Sequence, residues 1–102
     1  MALKNEISAD GNTLTVFIGI RFDITTYSDF GDAYKGKMDS VSSIVIDMTD
    51  CIYVDSSALG MLLIMRERFG GDNANIFITN MSPNVTKIFL TANFDKLFKI
   101  KS

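Results

Sequence analysis

Three acidic residues and two adjacent serines make one short segment the richest in side chains that could do chemistry. The carboxylates of Asp47, Asp50 and Asp55 fall within nine residues and could hold a magnesium ion or supply an acid–base pair. Each also has a simpler role, as a strand terminus, a turn residue and a helix cap respectively. Because catalysis would need more convergence, we expect these carboxylates to be structural. Ser56 and Ser57 follow Asp55 and offer hydroxyl groups at the same place.

The composition excludes several kinds of catalytic and metal-binding site. The chain has no histidine, which removes the commonest general base and the commonest zinc ligand. Its one cysteine, Cys51, can form neither an intramolecular disulfide nor a paired-cysteine metal site, and no basic neighbour is present to activate it. Phosphate-binding glycine loops are also absent from the sequence. We therefore expect no enzymatic activity, no metal and no cofactor.

The net charge and the lengths of the apolar runs indicate which classes of partner this chain can have. The formal net charge is -2 with the lysines scattered, so the positive field that nucleic acid requires is missing. The longest uncharged apolar run, residues 58–65, is far too short for a membrane span, and the first residues lack the apolar core of a signal peptide. We expect no nucleic-acid partner, no direct membrane insertion and a reduced, cytoplasmic setting. The 102 residues suit one domain, residues 1–102.

The first third of the chain predicts a β-hairpin followed by a helix. A turn at residues 10–11 separates a short strand around Ile7 from an alternating strand over residues 14–18. Apolar residues at intervals of three and four then predict a helix that Thr25 or Thr26 would cap.

The middle of the chain predicts the central strand and a second helix. Residues 44–46 are continuously apolar, a pattern typical of a parallel strand covered on both faces. Residues 56–69 read as a helix that is apolar on nearly all sides in its first half and is therefore buried, with glycines 70–71 as its stop signal.

The last third predicts one more strand and helix and a short terminal element. Residues 76–78 form a buried strand, and Ser82 caps a helix whose inner face carries Val85, Ile88 and Phe89. The tail, residues 94–100, reads as a helical turn plus an edge strand. The resulting order, β-β-α-β-α-β-α plus a short C-terminal element, predicts an α/β fold with a mixed four- to five-stranded sheet and packed helices.

The serine pair falls at the start of the second predicted helix. Asp55 and Ser56 are both good caps, which places Ser57 at or beside the first turn. A phosphate on Ser57 would carry about -1.5 to -2 charge at pH 7, in a position that helix amides and the helix dipole favour. It would also repel acidic groups of a partner and desolvate poorly against an apolar surface. The segment is therefore either a helix cap alone or a phosphorylation switch.

A longer pattern surrounds these serines. The segment from Asp47 to Gly60 closely resembles the STAS family pattern, in which an Asp-Leu-Ser/Thr strand end precedes an apolar loop and Asp-Ser-Ser-Gly/Ala-Leu-Gly. Residues 21–23 with Thr26 are similar to the family's Gly-x-Leu-Asp and following threonine, and residues 89–100 resemble its Phe-x-x-Thr-Gly-Leu-x-x-Leu-Phe ending. The resemblance implies a single STAS-type domain.

Two positions depart from the family pattern. Gly19 stands one position early, so Ile20 occupies the place of the family's glycine, which bears on the local loop geometry. Ala58 replaces the commoner glycine after the serine pair, a change that a helix tolerates easily.

The resemblance carries a function with it. In the anti-sigma-factor antagonists of this family, the second serine is phosphorylated by a serine kinase that doubles as an anti-sigma factor, and a PP2C-type phosphatase reverses this. The unphosphorylated form binds the kinase and frees its sigma factor. On this chain the phosphorylated residue would be Ser57, and the partner-binding residues would be Asp23, Asp55, Ser56, Ser57 and Ala58.

Two alternatives stay open. STAS domains also serve as constitutive subunits of lipid- or solute-transport complexes or of signalling scaffolds, in which case Ser57 would be a cap without a switch. Asp23 has a structural alternative of its own, because it is equally well placed to cap the first helix.

Overall fold

Hydrophobic runs and turn residues produce ten regular elements within residues 3–101, which this computed structural model describes. In chain order they are β1 (Asn5–Ile7), β2 (Thr13–Phe17), β3 (Arg21–Phe22), α1 (Tyr27–Tyr34), β4 (Ser43–Asp47), β5 (Tyr53–Val54), α2 (Ser56–Arg68), β6 (Ile76–Thr79), α3 (Pro83–Thr91) and β7 (Lys99–Lys101). Short 3-10 helices precede α1 and lie in several of the connections. The predicted α/β order is confirmed.

Five strands form the main sheet, in the order β1-β2-β4-β6-β7. The hairpin partners β1 and β2 are antiparallel, and the other three neighbouring pairs are parallel, so the sheet is mixed as predicted. β4 lies at the centre, which confirms the prediction for residues 44–46. The tail forms a 3-10 turn at Phe94–Lys96 and the edge strand β7, also as predicted.

One face of this sheet carries the core. Alternate residues of β2, β4 and β6 lie opposite one another in register and are fully buried: Leu14, Val16, Ile44, Ile46, Ile76 and Ile78. Val45 points to the other face and is partly exposed, so the prediction that the central strand is covered on both faces is wrong. Burial of β4 alternates because the core lies on one face only.

A second, two-stranded sheet was not predicted. β3 and β5 pair in parallel, with Arg21 opposite Tyr53 and Phe22 opposite Val54. Two residues per strand are too few to produce an alternating pattern in the sequence. This small sheet positions the helix starts, because α2 and the 3-10 helix before α1 begin just after its strands end.

The helices are less buried than their sequences predict. On α2, Leu63 and Ile64 are 39% and 42% exposed, so this helix is not buried on nearly all sides. On α3, Val85 and Phe89 are buried as predicted, whereas Ile88 is 40% exposed and does not belong to the inner face. None of the helices within residues 3–101 is both long and apolar enough to cross a membrane.

Candidate functional site

Asp55 positions the start of α2. Its Oδ1 accepts hydrogen bonds from the backbone amides of Ser57, at 2.9 Å, and Ala58, at 3.3 Å. These bonds satisfy two of the amides that the first turn of a helix leaves without intrahelical acceptors. The predicted cap is confirmed, and it places Ser57 in the first turn of α2.

The hydroxyl group of Ser57 is left free by this arrangement. Ser57 is partly exposed, and its Oγ makes no hydrogen bond to any group within residues 3–101. Ser56 is exposed and its hydroxyl is likewise unbonded within that range. Both hydroxyls therefore reach solvent at the positive end of the α2 dipole, where an added phosphate is electrostatically favoured.

Asp23 caps the 3-10 helix Ile24–Thr26, which precedes α1. Its Oδ1 accepts from the Thr25 amide at 3.0 Å, and the Thr26 hydroxyl accepts from the Asp23 amide at 3.3 Å, which closes a capping box. Thr26 is the N-cap residue of α1, one of the two residues predicted, but its side chain makes no capping hydrogen bond, and the carboxylate of Asp23 caps the 3-10 helix before it. The structural alternative for Asp23 is thereby confirmed.

The environment of Asp23 is polar although the residue is only 3% exposed. The hydroxyl of Thr25 hydrogen-bonds to the carboxylate, and Nε and Nη2 of Arg21 both lie 2.9 Å from Oδ2. The Thr25 hydroxyl, followed by the Thr25 amide and Arg21, holds the pKa of Asp23 below its usual value despite burial. Asp23 therefore carries a negative charge beside the small sheet.

The small sheet brings the two caps together. Asp23 follows Phe22 and Asp55 follows Val54, which are register partners, and the Asp55 amide donates to the carbonyl of Phe22 at 3.4 Å. Adjacent strands lie about 4.8 Å apart, so the backbones of Asp23 and Asp55 are neighbours. The helix starts that carry Thr25 and Ser57 consequently share one end of the molecule.

Exposed apolar residues adjoin this end. Residues 56, 57, 60, 63 and 64 recur at intervals of three and four along α2 and form one surface, which we call the α2 stripe. Its middle is Gly60, where an added Cβ would meet no atom within 4 Å. Beyond Ser57 the stripe is apolar, through Leu63 and Ile64.

A second apolar group lies on the small sheet. Ile20 and Ile52 are 63% and 75% exposed and adjoin, because the Ile52 amide donates to the Ile20 carbonyl at 2.9 Å. The guanidinium of Arg21 lies over the Tyr53 ring, 4.3 Å from its centroid. Sequence reasoning did not identify this group as a surface. In the sequence, this surface is indicated by one feature alone: Ile20 stands at the position where the STAS pattern has glycine.

The residues predicted to bind a partner differ in their access to solvent. Ser56 is exposed, and Asp55 and Ser57 are partly exposed. The side chains of Ala58 and Asp23 are buried, so they support this surface from beneath. Partner binding by the five residues stays a prediction.

Two other sequence candidates are structural. Asp47 ends β4 and accepts from the Thr49 amide at 2.9 Å, and no group of three or more potential ligands within residues 3–101 could hold a metal ion. Cys51 is 1% exposed, and burial raises the pKa of its thiol, in agreement with its reading as a small apolar residue.

Comparisons with known proteins agree with this architecture. A family model described as "Mlab, STAS domain" matches residues 5–100. The chain is 47% identical over 100 residues to a STAS-domain containing protein of Pseudomonas aeruginosa (strain UCBPP-PA14), covering 98% of this chain and 99% of that relative.

Solved structures share the fold at low identity. The unphosphorylated form of the anti-sigma factor antagonist SpoIIAA superposes with a TM-score of 0.80 at 16% identity, covering 99% of this chain and 89% of SpoIIAA. The phosphorylated form of SpoIIAA, a Bacillus cell fate determinant, gives a TM-score of 0.73 at 16% identity over 99% and 92% of the two chains. These structures show the same fold. The family match over residues 5–100 and the 47% identical relative show that the chain belongs to the STAS-domain family.

Proposed function

We propose that this protein is an anti-sigma factor antagonist that changes partners when Ser57 is phosphorylated. The unphosphorylated form binds an anti-sigma factor with serine kinase activity and so releases a sigma factor. The kinase phosphorylates Ser57 and then has low affinity for the phosphorylated protein. A PP2C-type phosphatase removes the phosphate and so restores the binding form. The protein performs no chemistry itself, and it acts in the cytoplasm, where the kinase finds ATP.

The observation that carries this proposal is the free hydroxyl of Ser57 in the first turn of α2. Its backbone amide is held by Asp55 at 2.9 Å, while its Oγ has no acceptor or donor within residues 3–101. A kinase can therefore modify this hydroxyl without first breaking a hydrogen bond of the fold. A merely structural serine at this position would more often use its hydroxyl to cap the helix.

A phosphate at Ser57 would change the adjoining surface more than the fold. It would add about -1.5 to -2 charge beside the α2 stripe, whose remaining side chains are Leu63 and Ile64. A partner that covers this apolar stripe would have to desolvate the phosphate, which is unfavourable. The phosphate would also repel acidic groups of the partner.

The helix itself tolerates the modification. A phosphate in the first turn of α2 lies at the positive end of the helix dipole, and Asp55 already holds the amides of Ser57 and Ala58. Phosphorylation would therefore regulate binding without unfolding the domain. The solved structures of SpoIIAA in its unphosphorylated and phosphorylated forms both share this fold.

Affinity capture with paired baits tests the proposal. Ser57→Ala and Ser57→Asp proteins are exposed in parallel to lysate of the source organism, and bound proteins are identified by mass spectrometry. The proposal expects a serine kinase enriched on Ser57→Ala and lost on Ser57→Asp. Asn84→Asp is the matched control, because it adds the same charge in the first turn of α3, outside the α2 stripe, and should retain the kinase. Equal capture of a kinase by both Ser57 baits would refute the switch.

A second candidate is a constitutive STAS subunit of a transport complex or signalling scaffold. It is favoured by the description of the matching family model, which names Mlab and no sigma-factor regulator. In that case Ser57 is part of a cap alone, and transporter or scaffold subunits would be captured equally by Ser57→Ala and Ser57→Asp. The same experiment therefore separates the two functions.

A further inference from the structure

A cavity of about 480 Å³ separates α1 from α2, C-terminal to the Ser57 region. This volume lies within the range of about 300–1,000 Å³ that is usual for sites of small organic molecules. Its principal lining residues come from the two helices: Phe30, Gly31, Tyr34, Met61, Ile64 and Arg68. The proposed partner switch does not use α1, and of this lining it shares Ile64, at the end of the α2 stripe.

Gly31 is the residue of the cavity that packing does not explain. It lies inside α1, where glycine is less favourable than alanine, and its backbone is not left-handed. A Cβ built at this position would meet no atom within 4 Å. Neither strain nor close packing therefore requires glycine here, and its missing side chain leaves this part of the cavity lining open.

The floor of the cavity is apolar and adaptable. Phe30, Tyr34 and Met61 are buried and belong to the core, whereas Ile64 is half-exposed at the rim. Met38 joins Met61 in the lining, and thioether side chains can repack around ligands of different shape. These features suit the apolar body of a small molecule.

Two cations, Arg68 and Lys35, lie in the lining near the C-termini of α2 and α1. Nη1 of Arg68 lies 3.5 Å from the Tyr34 hydroxyl, and Lys35 follows Tyr34 along the chain. Neither cation pairs with a carboxylate within residues 3–101, whereas the neighbouring Arg66 is paired with Asp72 at 2.9 Å. Asp32 and Asp39 also line the rim, but Arg68 is the charged group that contacts the aromatic wall.

We propose that this cavity binds an amphipathic carboxylate, such as a medium-chain fatty acid. The acyl chain lies over Gly31, Phe30 and Met61, and the carboxylate is bound by Arg68 with Lys35 beside it. Guanidinium is well suited to carboxylate because it offers parallel N–H donors. The inference does not rest on Ser57, since it concerns a small-molecule ligand between α1 and α2, and the cavity shares Ile64 with the α2 stripe.

The test is an NMR titration of the protein with decanoate below its micelle concentration. We expect saturable shifts of the amides of Tyr34, Ile64 and Arg68. Gly31→Leu, which fills the cavity in a position free of protein atoms, should weaken the affinity at least tenfold. Gly60→Leu makes the same change in α2 outside the cavity and should leave the affinity unchanged. Thermal unfolding of each variant confirms that it folds.

Several results would overturn the proposal. They are the absence of saturable binding to the unmodified protein, equal affinity of Gly31→Leu and the unmodified protein, and equal affinity for decanoate and decylamine. Arg68→Gln should weaken decanoate binding, and an unchanged affinity would contradict the role of the guanidinium. Sedimentation of a dimer that Gly31→Leu dissociates would show a second copy of the chain occupying this groove instead.

Discussion

Asp23 and Asp55 occupy equivalent positions at the ends of two paired strands, and each caps the helical segment that follows it. The register of β3 and β5 aligns Phe22 with Val54, so the next residues, Asp23 and Asp55, follow neighbouring strand ends. Both accept hydrogen bonds from backbone amides two residues ahead, those of Thr25 and Ser57. Through this small sheet, α1 and α2 begin at one end of the molecule.

Removal of the α2 cap should destabilise the fold modestly. In Asp55→Ala, the amides of Ser57 and Ala58 lose their acceptor, and the free energy of unfolding should fall by about 1 kcal/mol. Urea denaturation of Asp55→Ala, with Asp55→Ser as a variant that restores an acceptor, measures this. Asp50→Ala removes an exposed carboxylate that makes no side-chain hydrogen bond within residues 3–101, and serves as control. Equal denaturation midpoints for Asp55→Ala and Asp50→Ala would contradict the cap.

Asp23 should make stability depend on pH in the acidic range. The hydroxyl and amide of Thr25, with Arg21, lower the pKa of Asp23 in the folded protein. The charged form is therefore favoured by folding, so its stabilisation is complete above the unfolded pKa and is lost as the pH falls through the lower folded pKa. As the pH falls below about 4, unfolding curves of Asp23→Asn should change less than those of the unmodified protein. Identical pH dependence in the two proteins would disprove this contribution.

The main sheet could be predicted from the sequence because its strands are long enough to show a period. The apolar residues of β2 and β4 and the turn at residues 10–11 specify the hairpin and the central strand. Exposure was harder to predict, since Leu63, Ile64 and Ile88 are as hydrophobic as core residues. Their position depends on which faces of α2 and α3 meet the sheet, a tertiary property that periodicity in an almost entirely apolar helix does not resolve.

The candidate site was predictable in part. Asp55 stands directly before an apolar helix and has a good capping side chain, so the cap and the placement of Ser57 follow from local chemistry. The small sheet was missed because two-residue strands leave no pattern. Without it, the stacking of Arg21 on Tyr53 and the pairing of the two caps could not be expected. The partner roles of these residues stay predictions.

The α2 stripe should be sensitive to added bulk. Gly60→Leu places a side chain in open space at the middle of the stripe, so the protein should fold with equal or greater stability. A partner that covers the stripe would meet this side chain, and its affinity should fall at least about tenfold, equivalent to roughly 1.4 kcal/mol. Titration calorimetry with the captured kinase measures this. Gly31→Leu is the matched control on α1 and should bind the kinase normally, whereas unchanged affinity of Gly60→Leu would exclude the stripe from the interface.

Cys51 should be unreactive in the folded protein. It is 1% exposed, and burial raises the pKa of its thiol, so little thiolate is available to attack a reagent. At pH 8, reaction with Ellman's reagent should be slow for the native protein and rapid in denaturing urea. A fast stoichiometric reaction of the native protein would show that the loop before β5 opens readily.

The most direct test of the central claim compares two forms of one protein that differ in a single phosphate. Phosphoserine is incorporated at position 57 during translation, and the affinity of each form for the captured kinase is measured by titration calorimetry. Phosphoserine at position 42, an exposed serine outside the α2 stripe, is the control. We predict that phosphate at Ser57 lowers the affinity at least about a hundredfold, equivalent to roughly 2.7 kcal/mol, while the thermal unfolding midpoint changes little. Equal affinities of the unmodified and Ser57-phosphorylated forms would contradict the partner switch.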